Sequence, residues 1–317
     1  MSPLYSRNPL FFHLSNQGQG QARCCSAKEK LDFRPHNRCR NALRNLISVS
    51  SAPIAKLGDK KYYDLLGTLE VLRMVFQDSA VDGFELQLEP EWDSENPPLT
   101  DGDFADWTET PKFAFREILA ILKEQRLPIL SIHASRDIGN YLCSDRKRDL
   151  EKGTRLISDS LSLADDLKTE ICVFHLWDTW KTRFDLNKLA RIFLEAKSQF
   201  PRVMASVENI PTHLKQHTPF SLVEHFDFVT LDLRWAALYN ELDKFESIMD
   251  RIVNVHLRGR LEQNKWVLDK SSFSFQEALG KIVNQWGYSG ILTVEPEGGI
   301  ASAFYANFIR AMKSLRH

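Results

Sequence analysis

Short apolar runs alternate with longer amphipathic stretches from about residue 46 to the end of the chain. The short runs predict eight β-strands, at 46–51, 81–88, 128–133, 170–175, 202–208, 228–232, 251–257 and 290–295. The longer stretches predict helices near 62–77, 111–126, 148–167, 185–199, 218–226, 236–249, 273–287 and 300–315. Pro111 and Pro219 follow Thr110 and Thr218, which is typical of a helix cap and first turn.

A strand followed by a helix, repeated eight times over residues 46–317, predicts an α/β fold of the (β/α)8 TIM-barrel type. A doubly wound open sheet is the alternative. That fold usually carries a glycine-rich phosphate loop after its first strand, and the segment SVSSAPIAK at 48–56 lacks one. We therefore expect a single catalytic barrel domain at 46–317 and no dinucleotide or other organic cofactor.

Residues 1–45 break this alternation and differ in charge from the rest of the chain. They hold eight Lys or Arg and two acidic residues, a balance of +6, so the remaining chain carries −7 of the total −1. We expect a basic, disordered arm or an upstream extension. An organelle transit peptide and an arm that contacts phosphates are the alternatives.

The overall composition narrows the functional class. The hydrophobic content of 43% is that of a globular protein, and no apolar run reaches the length of a membrane span. The near-neutral charge argues against nucleic acid as a partner. Five cysteines without a Cys-x-x-Cys pair favour a reducing compartment, so we expect a cytoplasmic protein. The oligomeric state stays open, with a homo-oligomer as one option.

Polar residues stand at the ends of the predicted strands. Six strands, the third to the eighth in order, end on His133, His175, Glu208, Asp232, His256 and Glu295. Because strand side chains alternate between faces, the apolar neighbours face the helices and these six point into the barrel. The carboxyl ends of barrel strands form the rim where active sites lie.

Six such groups at one rim predict a metal site. Their desolvation and mutual repulsion need compensation, and a divalent cation is the simplest source. Carboxylates with imidazoles suit Mn²⁺, Zn²⁺, Co²⁺ or Mg²⁺.

Four segments carry a family resemblance: VENIP at 207–211, LDLRW at 231–235, VHLRGR at 255–260 and TVEPEG at 293–298. In this order they resemble the xylose-isomerase-like barrel superfamily, which includes sugar-phosphate isomerases and epimerases and type-IV apurinic endonucleases. The resemblance implies one divalent metal held by Glu208, Asp232, His256 and Glu295. It implies an isomerase or epimerase of carbohydrate metabolism, with Glu208 and Glu295 as base and acid on a small sugar or sugar phosphate.

The substrate contacts are less typical of that superfamily. Many members have a His three residues after the sixth-strand Asp and an Asp three residues after the seventh-strand His, whereas this chain has Trp235 and Gly259. Candidate substrate contacts are Glu85, Trp235, Arg258 and Arg260.

A dinuclear hydrolase is the alternative function. The apurinic endonucleases of the superfamily place histidines on strands three and four, as His133 and His175 do here, and with Glu208 these would form a second metal site. The third site of those enzymes has no counterpart, since Trp235 replaces its histidine and no Asp-x-His follows His256. The sequence therefore favours the isomerase, with His133 and His175 as second-metal or substrate ligands.

Overall fold

The computed structural model describes residues 44–54, 57, 64–78, 81–88, 113–262, 265–268 and 273–315. Except for its last two positions, the predicted basic arm lies outside these residues, as does the predicted helix start at Pro111. The strands are β1 Leu46–Ser50, β2 Gly83–Gln87, β3 Ile129–His133, β4 Ile171–Phe174, β5 Met204–Glu208, β6 Val229–Asp232, β7 Ile252–Glu262, β8 Lys265–Val267 and β9 Ile291–Pro296.

Eight of these strands form a closed parallel barrel. β1 to β7 pair in sequence order, and β9 pairs with both β7 and β1, which closes the ring. A closed ring excludes the open-sheet alternative and confirms the predicted (β/α)8 barrel. All eight predicted strands are present, with ends shifted by a few residues.

The helices between the strands follow the amphipathic stretches. They are α1 Ser51–Ile54, α2 Leu65–Gln77, α3 Phe115–Gln125, α4 Ile138–Leu142, α5 Lys147–Leu167, α6 Leu186–Lys197, α7 Pro219–Val223, α8 Leu233–Leu238, α9 Phe275–Gly280 and α10 Tyr305–Ser314. The Thr218 hydroxyl accepts from the Ser221 amide and caps α7, with Pro219 in the first turn as predicted. None of the helices described is long and apolar enough to cross a membrane.

Two predicted helices are interrupted. The stretch predicted at 236–249 begins earlier, at α8, because Asp232 caps that helix directly; it breaks at Asn240, whose φ is 56°, and resumes as a 3₁₀ helix, Leu242–Arg251. The stretch at 273–287 is α9 followed by a π turn, Lys281–Gln285. The hydrophobic pattern predicts where such segments bury a face but not where the backbone changes its hydrogen bonding.

An antiparallel hairpin of β7 and β8 extends beyond the barrel rim and was not predicted. β7 runs five residues past its predicted end, and Arg260, Leu261 and Glu262 pair with β8. Gly259 lies at its base, where a Cβ atom would come within 2.8 Å of both the Val267 carbonyl and the Phe275 ring. The hairpin therefore fills the space that a side chain at position 259 would need.

The barrel interior is apolar at one level and polar above it. Ile171, Val173 and Ile291 form a small cluster separate from the large apolar core between strands and helices. Closer to the carboxyl rim, interior side chains are hydrogen-bonded to one another. The hydroxyl oxygens of Ser206 and Thr230, for example, are 2.7 Å apart. The six residues predicted at the strand ends lie directly above this polar layer, at the rim.

Candidate active site

The closed ring brings the six residues predicted at the strand ends together. Glu208, Asp232 and His256 are almost completely buried on neighbouring strands, and Glu295 stands on β9, the next strand in the ring. His133 ends β3 and is also buried, and His175 directly follows β4.

Glu208 is the centre of this group. Its Oε2 lies 3.2 Å from His133 Nε2 and 2.9 Å from His175 Nε2. The same oxygen is 3.6 Å from His256 Nδ1, which is in turn 3.7 Å from Glu295 Oε1. His133 Nδ1 is 2.9 Å from the Ala134 carbonyl oxygen, which sets the orientation of that ring. Two glutamates thus converge on one ring nitrogen of His256.

Asp232 is held in place by hydrogen bonds between its backbone and Asn209, and by the helix that follows it. Asn209, directly after β5, accepts from the Asp232 amide at 2.6 Å and donates to its carbonyl at 3.2 Å. Asp232 Oδ1 accepts from the Arg234 amide at 2.7 Å and so caps α8. The other oxygen, Oδ2, has no hydrogen-bond partner among the described residues and lies 4.0 Å from Arg258 Nη1.

The pKa values of the carboxylates reflect their crowding. Burial opposes ionisation of Glu208, but the charges of His175 and His256 and the hydrogen bonds from His133 and His175 hold its pKa well below its usual range. Burial and the charge of Glu208 raise the pKa of Asp232 well above normal. One carboxylate of this pair therefore stays ionised while the other favours its proton.

The histidines respond to the same carboxylates. Burial opposes their protonation, but a hydrogen bond donated by His133 to Glu208 and the charges of Glu85, Glu208 and Glu295 raise the pKa of His133 to about 9. The charges of Glu85, Glu295 and Glu208 likewise raise the pKa of His256 well above normal. Burial lowers the pKa of His175. Without a metal, protons thus balance the negative charge of the site.

These residues fit a divalent cation. Glu208, Asp232 and His256 each offer a ligand atom, and these atoms lie within 4.8 Å of one another. Asp232 Oδ2 and His256 Nδ1 are buried and lack hydrogen-bond partners within the described part of the chain, although such atoms are rarely left unpaired. Two further triads meet the same distance limit, Glu85–His256–Glu295 and His133–His175–Glu208.

The four candidate substrate residues lie in different places. The centroid of the Trp235 ring lies 4.8 Å from the Arg234 guanidinium carbon and 5.6 Å from that of Arg258, and the Trp235 amide donates to Asp232 Oδ1. Arg260 is exposed on the β7–β8 hairpin, 3.5 Å from Glu262. Glu85 is fully buried in the polar layer below the rim. Of the four, Trp235 and Arg258 stand beside the six-residue group at the rim, and Glu85 contacts it from below, with Oε2 3.2 Å from His256 Nε2.

A cavity of about 340 Å³ opens beside His175. Its walls come from the segments that follow β3 and β4, and they include Asp137, Asn140, Trp177, Asp178 and Trp180. Trp177 Nε1 donates to the Pro211 carbonyl at 3.0 Å, whereas the Trp180 side chain is 76% exposed at the cavity edge. From the sequence, His175 is a candidate ligand, and Trp177 and Trp180, just after the fourth strand, are aromatic residues that could stack on a sugar face. The sequence does not single out Asp137, Asn140 or Asp178. The available signal was position, since each segment directly follows a barrel strand.

Comparison with known proteins places the chain by fold. No protein-family model and no curated protein matches the sequence. Among solved structures, an L-ribulose 3-epimerase matches at a TM-score of 0.55 and 14% identity over 86% of this chain and 91% of its own. A sugar phosphate isomerase/epimerase from Parabacteroides distasonis matches at 0.55 and 15% identity, covering 87% and 96%.

A D-allulose 3-epimerase from Methylomonas sp., solved with D-allulose, matches at a TM-score of 0.54 and 13% identity, covering 86% of this chain and 94% of its own. The chain therefore shares the (β/α)8 barrel fold of these solved sugar epimerases and isomerases, the fold that the sequence predicted.

Proposed function

We propose that this chain is a divalent-metal-dependent isomerase or epimerase of a sugar or sugar phosphate. The observation that carries the proposal is the convergence of Glu208 and Glu295 on His256 Nδ1, at 3.6 and 3.7 Å, in a buried rim group that also includes Asp232. The fold, shared with sugar isomerases and epimerases, supports the same reaction class.

Glu208, Asp232, His256 and Glu295 would hold the cation. Bound there, a divalent cation supplies electrophilic polarisation of the substrate carbonyl. The donors are three carboxylates and one imidazole, which suit Mn²⁺, Zn²⁺, Co²⁺ or Mg²⁺. Asn209 and the α8 amides fix Asp232 so that Oδ2 is the oxygen left to bind.

Glu208 and Glu295 would move the proton. The low pKa of Glu208 keeps it ionised at neutral pH, so it can accept a proton from the carbon beside the carbonyl. His133 and His175 hold its Oε2 in place through hydrogen bonds. Glu295 approaches His256 Nδ1 separately. It would start protonated and donate that proton to the opposite face or to the neighbouring carbon. Exchange with solvent would then remove the proton from Glu208 and restore one to Glu295 before the next turnover. Because the two glutamates are already in position, the rate of proton transfer would depend on their geometry more than on a raised basicity of either carboxylate.

The neighbouring surfaces suit a polyhydroxylated ligand. The cavity beside His175 presents carboxylate and amide side chains, including Asp137, Asn140 and Asp178, that can bond to sugar hydroxyls. Arg258 lies 4.0 Å from Asp232 Oδ2, and its guanidinium group is 5.6 Å from the centroid of the Trp235 ring. We assign Arg258 and Trp235 to binding of the hydroxyl or phosphate end of the substrate.

Hydrogen exchange at carbon tests the reaction class directly. Purified protein with Mn²⁺ is incubated in D₂O with a panel of ketoses, aldoses and their phosphates, and NMR follows deuterium uptake and new stereoisomers. We expect metal-dependent uptake beside the carbonyl of at least one sugar. Cleavage of an abasic-site duplex with two metals bound per chain, and no exchange into any sugar, would contradict the proposal and support the dinuclear hydrolase.

A further inference from the structure

Glu85 is a fully buried carboxylate in the barrel interior that the proposed proton transfer does not use. It stands on β2 opposite Ser131 of β3, one layer below the pair Gln87 and His133. Its Oε2 accepts from Ser131 Oγ at 2.8 Å and Asn254 Nδ2 at 2.9 Å, and lies 3.2 Å from His256 Nε2. Burying a carboxylate costs free energy unless hydrogen bonds and opposite charges compensate for the lost water.

The contact with Glu85 bears on which ring nitrogen of His256 is available to a metal. An ionised carboxylate only accepts hydrogen bonds, so the nitrogen facing it must carry the proton. In a neutral imidazole the other nitrogen then has the free lone pair. That nitrogen is Nδ1, which faces Glu208 and Glu295 and has no hydrogen-bond partner in the described structure.

Asn254 offers a competing arrangement. Its Nδ2 is 3.1 Å from His256 Nε2 and could donate to that nitrogen if the proton were on Nδ1 instead. Asn254 Oδ1 accepts from Thr293 Oγ1 at 2.9 Å, so the amide nitrogen is turned toward both Glu85 and His256. The bond between a carboxylate and an imidazole N–H is charge-assisted and about twice as strong as one between neutral groups. The hydrogen bond to Glu85 is therefore stronger than the one from Asn254, and it favours a proton on Nε2.

We propose that Glu85 is a positioning residue that keeps the proton of His256 on Nε2, so that Nδ1 is presented to the metal. This inference rests on the proposed metal site, and it assigns Glu85 a role through His256 rather than in contact with substrate. Carboxylates that orient a ligating histidine in this way commonly contribute 10- to 100-fold to metal affinity. From the sequence, Glu85 is predicted to face inward as a candidate substrate contact, and its contact with His256 is not predicted.

NMR of the Zn²⁺-loaded protein labelled with ¹⁵N-histidine tests the tautomer. The His256→Gln variant identifies the resonances of His256. We expect the directly bonded proton on Nε2 and the metal-induced shift on Nδ1. A proton on Nδ1, or a metal-induced shift on Nε2, would overturn the inference. The tautomer itself is read on the unaltered chain, and the variant serves only to assign the resonances.

Metal affinity of Glu85→Gln provides the second readout. The amide has nearly the same shape but no charge, so it no longer outcompetes Asn254, and we expect affinity for Zn²⁺ or Co²⁺ to fall by about 10- to 100-fold. Ser206→Ala is the control, because it removes a buried interior hydrogen bond to Thr230 without touching Glu85 or His256. We expect its metal affinity to stay close to that of the unaltered chain, because no partner of His256 is removed.

The two proposals fail in different ways. If the unaltered chain binds no divalent metal, the proposed function fails. If it binds metal through His256 but Glu85→Gln binds it equally well, with the same Nε2 proton, only the role of Glu85 is refuted.

Discussion

Several neighbours together set the orientation and the ionisation of Glu208. Its Oε2 faces His133, His175 and His256, and its ionised form is favoured despite complete burial. The sequence predicted that Glu208 faces the barrel interior, because strand alternation fixes the face. It could not predict that a single oxygen would meet three imidazoles, since that depends on rotamers and on the stagger between strands.

Replacing Glu295 separates proton transfer from folding. We expect Glu295→Gln to lower kcat by about 10²- to 10⁴-fold, the usual contribution of a positioned acid or base, while thermal unfolding changes little. Glu297→Gln is a close control, because Glu297 lies two residues further on and pairs with Arg234 rather than with the site. Near-normal turnover in Glu295→Gln, measured on the sugar that exchanges deuterium, would refute its role.

His133 gives the metal-free protein a specific pH dependence. Its pKa is about 9 in the folded chain against 6.5 as the ordinary value, so its stabilising contribution is complete below pH 6.5 and is lost as pH rises through 9. In the presence of a chelator, we expect the Tm advantage of the unaltered chain over His133→Gln to shrink between pH 6.5 and 9. Exposed His217→Gln is the control; a constant advantage of His133 over this range would contradict the assignment.

At the scale of elements, the sequence predicted the strands well and the connections poorly. The alternation of side chains along a strand is a local signal, and so is a helix-cap residue such as Thr218. The structure confirms the predictions made from both. The β7–β8 hairpin depends on Gly259 fitting against Val267 and Phe275, and the cavity wall depends on packing between the segments after β3 and β4. Such contacts between distant segments leave no periodic pattern.

Gly139 tests one of these contacts. It lies in α4, and a Cβ atom there would overlap the backbone of Trp177 in the cavity wall. We expect Gly139→Ala to lower the free energy of unfolding by about 1–3 kcal/mol and to weaken sugar binding, because the two segments must move apart.

Gly280→Ala is the matched control. Gly280 is also helical, but nothing lies within 4 Å of its Cβ position, so alanine should be neutral or stabilise by about 0.5–1 kcal/mol. Equal effects of the two substitutions in urea unfolding would show that the Trp177 contact does not constrain the cavity.

At the scale of the whole molecule, barrel closure explains why residues far apart in sequence meet. β5, β6, β7 and β9 are consecutive in the ring, so their carboxyl ends bring Glu208, Asp232, His256 and Glu295 to one part of the rim. The eight-fold repeat predicted this ring, and the motifs predicted the four residues. The sugar itself depends on the shape of the surrounding loops, which strand patterns do not encode.

Metal binding by the intact chain is the most direct test of this account. Metal-free protein is titrated with Mn²⁺, and electron paramagnetic resonance reports the free ion. We predict one tightly bound Mn²⁺ per chain, a raised Tm in its presence, and loss of both effects in Asp232→Asn, which removes the charge from the unpaired Oδ2. No tight binding by the unaltered chain, or binding that survives Asp232→Asn undiminished, would contradict the account.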